Sequence, residues 1–281
     1  MILFLRQLRF ELVKLFGRKR TWLGFGAFLA VEVLILSLLQ TPGAARALRR
    51  ATTQGGMDFS HFYSGLTLAY LMISGTIFIL GSLYLALVAG DVVAKEVEDG
   101  TMRMMLSRPV SRLRVLALKY AACVLYTWML TLFIVSSSLL LALAFRGRGG
   151  LVVFAPMEHV FGFYEEGPGL YRYLLGTAML LLVMPTISSI AFMFSCLNIK
   201  PASATICTLT VYIVDTVLRN IPYFEDLRGY FITYHMADWA QCFQQKLPWE
   251  RLVHSGEYLI LVDTVCVALG TLYFLRRDFK A

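Results

Sequence analysis

Apolar residues in this 281-residue chain gather into six long runs, at about 22–41, 63–90, 119–145, 171–197, 202–219 and 258–275. A helix advances about 1.5 Å per residue, so roughly 20 apolar residues cross about 30 Å of hydrocarbon. Each run reaches or approaches that length. Backbone polar groups inside lipid must be satisfied within their own segment, which makes each run a helix. The second and third runs are too long to be confined to lipid and are expected to project beyond it. The fifth is the weakest, because Asp215 and Arg219 interrupt its end. Ahead of the first run, Leu5, Leu8, Leu12 and Leu15 recur every three or four residues, with Arg6, Arg9, Glu11, Lys14 and Arg18 between them. That pattern predicts an amphipathic helix over 1–20 lying in the headgroup plane. Its basic and apolar residues are mixed rather than ordered as in a signal peptide. The whole pattern predicts a single all-α integral membrane domain over 1–281, with six transmembrane helices.

The polar stretches between the runs set the topology. With the N-terminus in the cytosol, the segments 1–21, 91–118, 198–201 and 276–281, with Lys119 at a boundary, hold sixteen of the 26 Lys and Arg residues. An excess of basic residues marks the cytosolic side, so both termini are expected there. On the other side, 42–62 is polar and contains Gly55-Gly56, and 146–170 carries Gly147, Gly149, Gly150, Pro168 and aromatic residues. Segment 220–257 interleaves Tyr230-Phe231, Trp239, Phe243 and Trp249 with charges, so it is too polar to span and too aromatic to be disordered. It is predicted to lie on the external surface as an amphipathic helix, with Trp239 and Phe243 on one face and Asp238 and Gln241 turned away. Such a segment would form a lid on the outer surface or receive an external partner protein.

Composition supports the membrane assignment. Hydrophobic residues make up 58% of the chain and charged residues 16%, against about 45–50% and 25% in soluble domains. A net charge of +8 would raise nucleic acid as a partner in a soluble chain, but the basic excess of cytosolic loops accounts for it here. Four of the five cysteines (Cys123, Cys196, Cys207 and Cys266) lie in apolar runs without metal-ligand spacing and read as packing residues. All four histidines (His61, His159, His235 and His254) fall in external segments, too weak a signal to place a metal site. The chain has no phosphate-binding G-x-x-x-x-G-K-[S/T], no H-E-x-x-H, no G-x-S-x-G and no C-x-x-C. Asp99-Gly100-x-x-Arg103 faintly matches the start of a phospholipid head-group transferase motif, but 104–119 contains none of the acids needed for metals. The chain is therefore expected not to be an enzyme.

Two sets of residues stand out as candidates. In 90–120, Lys95, Glu96, Glu98 and Asp99 form a charged patch, and Gly100 is placed to end a helix. Thr101 opens a short turn with Met102, Met104, Met105 and Leu106; Arg108-Pro109 breaks the chain and Ser111 can cap the next helix. Any one of these residues reads equally as part of a solvated basic loop, but together they suit docking to a separate cytosolic protein. The second set is Glu32, Asp215 and Asp263, acids at membrane depth, where an exposed charge costs at least about 2.5–3.5 kcal/mol. Asp215 has Arg219 one turn on as a possible partner. Asp263 lies near the start of its run and within reach of the interface. Glu32, in mid-run, is either a functional group or a protonated one bonded across a dimer interface.

The order Glu96-x-Glu98-Asp99-Gly100-Thr101, then Leu106-Ser107-Arg108-Pro109-Val110-Ser111-Arg112, then Lys119 resembles the intracellular loop of ABC-2 type transporter permeases. More narrowly, it is similar to the bacterial branch described as multi-copper-enzyme-maturation permeases. The basic N-terminal helix, the C-terminal Arg276-Arg277-Asp278-Phe279, and Thr233-x-His235-x-x-x-Trp239 followed by Pro248-Trp249 fit the same pattern. The resemblance implies a permease subunit of a bacterial inner membrane exporter, paired with a second copy or close relative. It implies an elbow helix at 1–20 and, within 91–118, a coupling helix involving Glu96, Glu98, Asp99, Gly100, Thr101 and Arg103. ATP and Mg would be bound by separate ATPase subunits, with no cofactor on this chain. Two other readings stay open: an ion-coupled secondary transporter using the three acids, and an ATPase-driven mechanical or signalling subunit that moves no solute.

Overall fold

A computed structural model describes residues 2–41, 43, 63–106, 111–158 and 160–276. Helix α1 (Ile2–Phe16) ends at Gly17, and α2 (Lys19–Leu39) starts two residues later. Thr21, Gly24, Phe28, Glu32 and Leu36 form the buried stripe of α2. Gly24 permits a close approach: the Tyr84 ring lies where a Cβ would stand, and the Tyr84 hydroxyl donates to the carbonyls of Arg20 and Thr21, 3.0 Å each.

Helix α3 (Gly65–Glu98) and α5 (Arg112–Arg146) run 34 and 35 residues, each about 50 Å long and well beyond the bilayer core. Most of the 91–118 region is therefore the extended ends of two helices, joined through the short α4 (Thr101–Leu106). Gly100 makes that turn possible, with φ of +71°. Within α3, Ile77–Gly81 forms a π turn. Helix α6 (Glu166–Cys196) is interrupted at Met184 before Pro185. Proline has no N–H for the Leu181 carbonyl four residues back, and the indole of Trp128 donates to it instead, at 2.8 Å. Helix α7 (Pro201–Asn220) precedes a 3-10 turn (Pro222–Tyr230), the short α8 (Ile232–Ala237), a second 3-10 turn (Asp238–Phe243) and α9 (Trp249–Arg276).

Among the described residues, six helices (α2, α3, α5, α6, α7 and α9) are long and apolar enough to cross a membrane. The chain is an α-helical, multi-pass membrane protein with one small addition. Strands β1 (Leu151–Ala155) and β2 (Val160–Tyr164) pair antiparallel, with Val153 opposite Gly162. Alternating burial along β2 packs Val160, Gly162 and Tyr164 inward. Helices α3 and α6 form the centre: 72% of the most apolar window of α6 is buried, against 17% for α7 at the edge.

Two expectations need correction. Segment 220–257 is not a surface amphipathic helix. Pro222–Tyr230 is a surface turn without a buried residue, residues 232–243 fold as short turns packed into the bundle, and the last nine residues belong to α9. Trp239 and Phe243 do face the core, but Asp238 and Gln241 are buried as well. The longer α9 also puts Asp263 at mid-helix rather than near an end.

Candidate functional site

The charged patch at the end of α3 is split by helix geometry. Glu96 is buried and pairs with Lys14 of α1 and, at 2.7 Å, with Lys119 of α5. Lys119, 1% exposed, also stands 3.2 Å from Glu11 of α1 and donates to the Val92 carbonyl at 3.5 Å. Two ammonium and two carboxylate groups thus tie three helices together. A buried charge persists only where such partners replace water. Nearby, Arg20 at the start of α2 pairs with the buried Asp91 of α3.

Glu98 and Asp99 point the other way and are exposed. The Thr101 hydroxyl donates to the Glu96 carbonyl at 3.2 Å, closing the turn. In α4, Met102 is fully buried and anchors the turn, whereas Met104 is 66% exposed. The side chain of Arg103 and the segment 107–110 lie outside the described residues. The turn therefore presents two acids and an apolar side chain on a base held by ion pairs.

The three acids at membrane depth are not brought together. Glu32 is fully buried and accepts from Ser138 of α5 at 2.9 Å, a bond within one subunit rather than across a dimer interface. Asp215 accepts from the backbone N–H groups of Ile232 (3.2 Å) and Thr233 (2.7 Å), capping the start of α8. Arg219 does not serve as its partner. The guanidinium is drawn to Glu158 beside the hairpin, at 2.7 Å, and donates to the Thr233 carbonyl at 2.5 Å. Asp263 lies beside the hydroxyls of Ser189 and Thr186 in α6. It lines a groove of about 540 Å³ with Tyr120, Trp128 and Pro185.

At the end of the bundle away from the turn, α8 and α9 share a polar chain that sequence reasoning missed. His235 meets the Gly229 carbonyl through Nε2 (2.9 Å) and the Ser255 hydroxyl through Nδ1 (3.0 Å). Ser255 donates to Asp238 Oδ2 at 2.5 Å, and the Arg251 guanidinium stands 2.6 Å from Oδ1 as an ion pair. The residue types match a hydrolytic triad, but the serine sits between histidine and acid and is 1% exposed, so it cannot reach a substrate as a nucleophile. The chain is a structural tie. It holds Trp239 against Tyr70, Phe78 and Phe243, with ring centroids 5.5–6.0 Å apart. The only sequence signal was the Thr233-x-His235-x-x-x-Trp239 pattern. Among the described residues, no three His, Cys, Asp or Glu side chains are grouped to hold a metal ion; His61 and His159 lie outside them.

A family model described as ABC-2 family transporter protein matches residues 7–215, from α1 through the turn and most of α7. The chain belongs to the ABC-2 transporter family. That membership, with six candidate spans, makes the chain a multi-pass membrane protein of this transporter family. The match ends at Asp215, so α8, the second 3-10 turn and α9 lie beyond it. The chain is also 35% identical over 82 residues to the uncharacterized protein YhcI of Bacillus subtilis (strain 168). The matched stretch covers 29% of this chain and 26% of that protein.

Proposed function

We propose that this ABC-2 permease works as an exporter in a bacterial inner membrane, with both termini in the cytosol and driven by separate ATP-binding subunits. Two ATPases bind ATP and Mg and seat the turn formed by Glu98, Asp99, Gly100, Thr101 and Arg103. A second copy, or a close relative, completes the pathway across the lipid bilayer. The chain itself carries no catalysis.

The observation that carries this reading is the contrast at the end of α3. Glu98 and Asp99 are free to meet a partner, while Glu96, two residues earlier, is locked to α1 and α5. A push on the turn is thereby delivered to three helices rather than lost in a flexible loop. Glu96 acts as the fixed end of the lever, Gly100 gives it its bend, and Met104 supplies apolar contact.

The test is co-purification of the permease with its ATPase after Glu98→Lys and Asp99→Lys are introduced together. Membrane insertion and thermal stability stay at the parent level, while recovered ATPase falls at least tenfold. Undiminished recovery, with undiminished coupled ATP hydrolysis, removes the turn from the mechanism. Vesicle transport with the intact complex separates export from a purely mechanical role.

A further inference from the structure

A half-open cavity of about 510 Å³ lies between α3, α7 and the segment around α8, at the end of the bundle away from the coupling turn. Its walls are of two kinds. Tyr70, Phe78, Tyr212 and Trp239 make an aromatic floor, and Glu158 with Arg219 forms a polar rim. The Tyr212 hydroxyl donates to the Phe78 carbonyl at 3.0 Å, which fixes the level of α7 against α3. Arg219 lies seven residues further along α7, about 10 Å closer to the loop end of α3. The charged rim therefore lies nearer the loop end of the helices than Phe78 and Tyr212, which form the deeper part of the aromatic floor.

Three details mark this cavity as a binding site rather than a packing gap. Phe78 and Ile79 belong to the π turn of α3, and such turns concentrate at functional sites. Thr233 lines the cavity at 5% exposure, and its hydroxyl oxygen is buried without a hydrogen-bond partner among the described residues. The mouth is edged by Ile79 and Met157, 75% and 81% exposed, so the opening is apolar.

We propose that this cavity binds a zwitterionic phospholipid, with the phosphate on Arg219, the ammonium on Glu158 and an acyl chain along the aromatic floor. Arg219 uses one nitrogen on Thr233 and another on Glu158, and a guanidinium has five N–H donors, so it can still receive a phosphate. The rim is an ion pair with no net charge. A zwitterion sets each of its charges opposite a complement, whereas an anionic lipid brings a second negative charge beside Glu158. The Thr233 hydroxyl, buried beside the rim, is without a hydrogen-bond partner among the described residues. This site is separate from the coupling turn and does not depend on which solute the permease moves.

Native mass spectrometry of the purified full-length chain in detergent tests the proposal, with dioctanoyl phosphatidylethanolamine and dioctanoyl phosphatidylglycerol as probes. The ethanolamine lipid is retained at least fivefold more than the glycerol lipid. Arg219→Met and Glu158→Gln each lower its retention at least fivefold. Ser74→Trp fills the cavity without removing a rim group, because Ser74 lines the cavity on α3 and donates to Leu71 of its own helix, and it lowers retention equally. Should the rim variants fail to fold, Ser74→Trp decides alone. Equal retention of both lipids, or undiminished retention in Ser74→Trp, overturns the site. Loss of self-association in Ser74→Trp without any change in lipid retention overturns it too, and makes this face a contact between copies.

Discussion

Lys119 and Asp238 are both buried charges, yet they are held in different ways. Lys119 sits among full opposite charges from two other helices, Glu11 and Glu96. Asp238 has one cation, the half-buried Arg251, and a relay of Ser255 and His235 ending on a backbone carbonyl. The first arrangement braces long helices whose ends leave the lipid. The second pins short turns onto α9 and seats Trp239 in the bundle. Charges from separate helices resist relative movement, because separating them strands each in a poorly solvated place. A hydrogen-bonded relay through side chains orients more than it binds.

Substitutions at the two sites should separate these roles. The largest effect is expected for Lys119→Met, which leaves Glu96 buried with only Lys14. Removing one partner of a buried pair costs about 3–5 kcal/mol, read as a lower unfolding midpoint in detergent. Adding Glu96→Leu recovers part of that loss, because both buried charges are then gone; full additivity of the two substitutions breaks the comparison.

Asp238→Asn is expected to cost less, about 1.5–3 kcal/mol, the worth of hydrogen bonds to a charged group. Quenching of Trp239 by an aqueous quencher rises at the same time. An equal or larger loss than for Lys119→Met reverses the ranking of the two ends. Between them, Glu32→Ala leaves the Ser138 hydroxyl unpaired at about 1–3 kcal/mol, while Glu32→Gln preserves that bond and stays near the parent. Matching behaviour of both Glu32 variants removes it as a structural partner.

The smallest effect is a labelling contrast. Burial, with neighbouring Asp238 adding to it and Arg172 opposing it, pushes the Cys242 thiol up to about 12. It is 1% exposed and remains unreactive to an impermeant maleimide at pH 7. Gln245→Cys, three residues on and exposed, reacts from outside intact cells. Labelling of that cysteine only after the cytosolic face is opened reverses the proposed orientation.

Much of the fold is legible in the sequence. The runs at 22–41 and 202–219 differ by only a few residues from α2 and α7, and the excess length of the second and third runs forecast the projecting ends of α3 and α5. Gly100 as a helix stop followed from its missing side chain. The candidate site was legible only in part. Glu96 and Glu98 are indistinguishable in sequence, two residues apart in one charged patch. The alternation of Val160, Gly162 and Tyr164 was a strand signal obscured by the glycines and aromatic residues around it.

Hydropathy and period are local properties, and lipid enforces them. Without water to satisfy backbone groups, an apolar run of sufficient length must be helical. The chain itself therefore determined the spans, the amphipathic α1 and the membrane location. Tertiary structure decided the partners. Arg219 has Asp215 four residues away but chooses Glu158, because the hairpin brings that carboxylate to 2.7 Å while Asp215 is taken by the backbone of α8. Asp238 was expected to turn toward water, yet it is buried because Ser255 and Arg251 on α9 replace the solvent it loses. Ionic and hydrogen-bonded pairing falls off within a few ångströms, so it depends on which distant helices approach one another, and no local pattern encodes that.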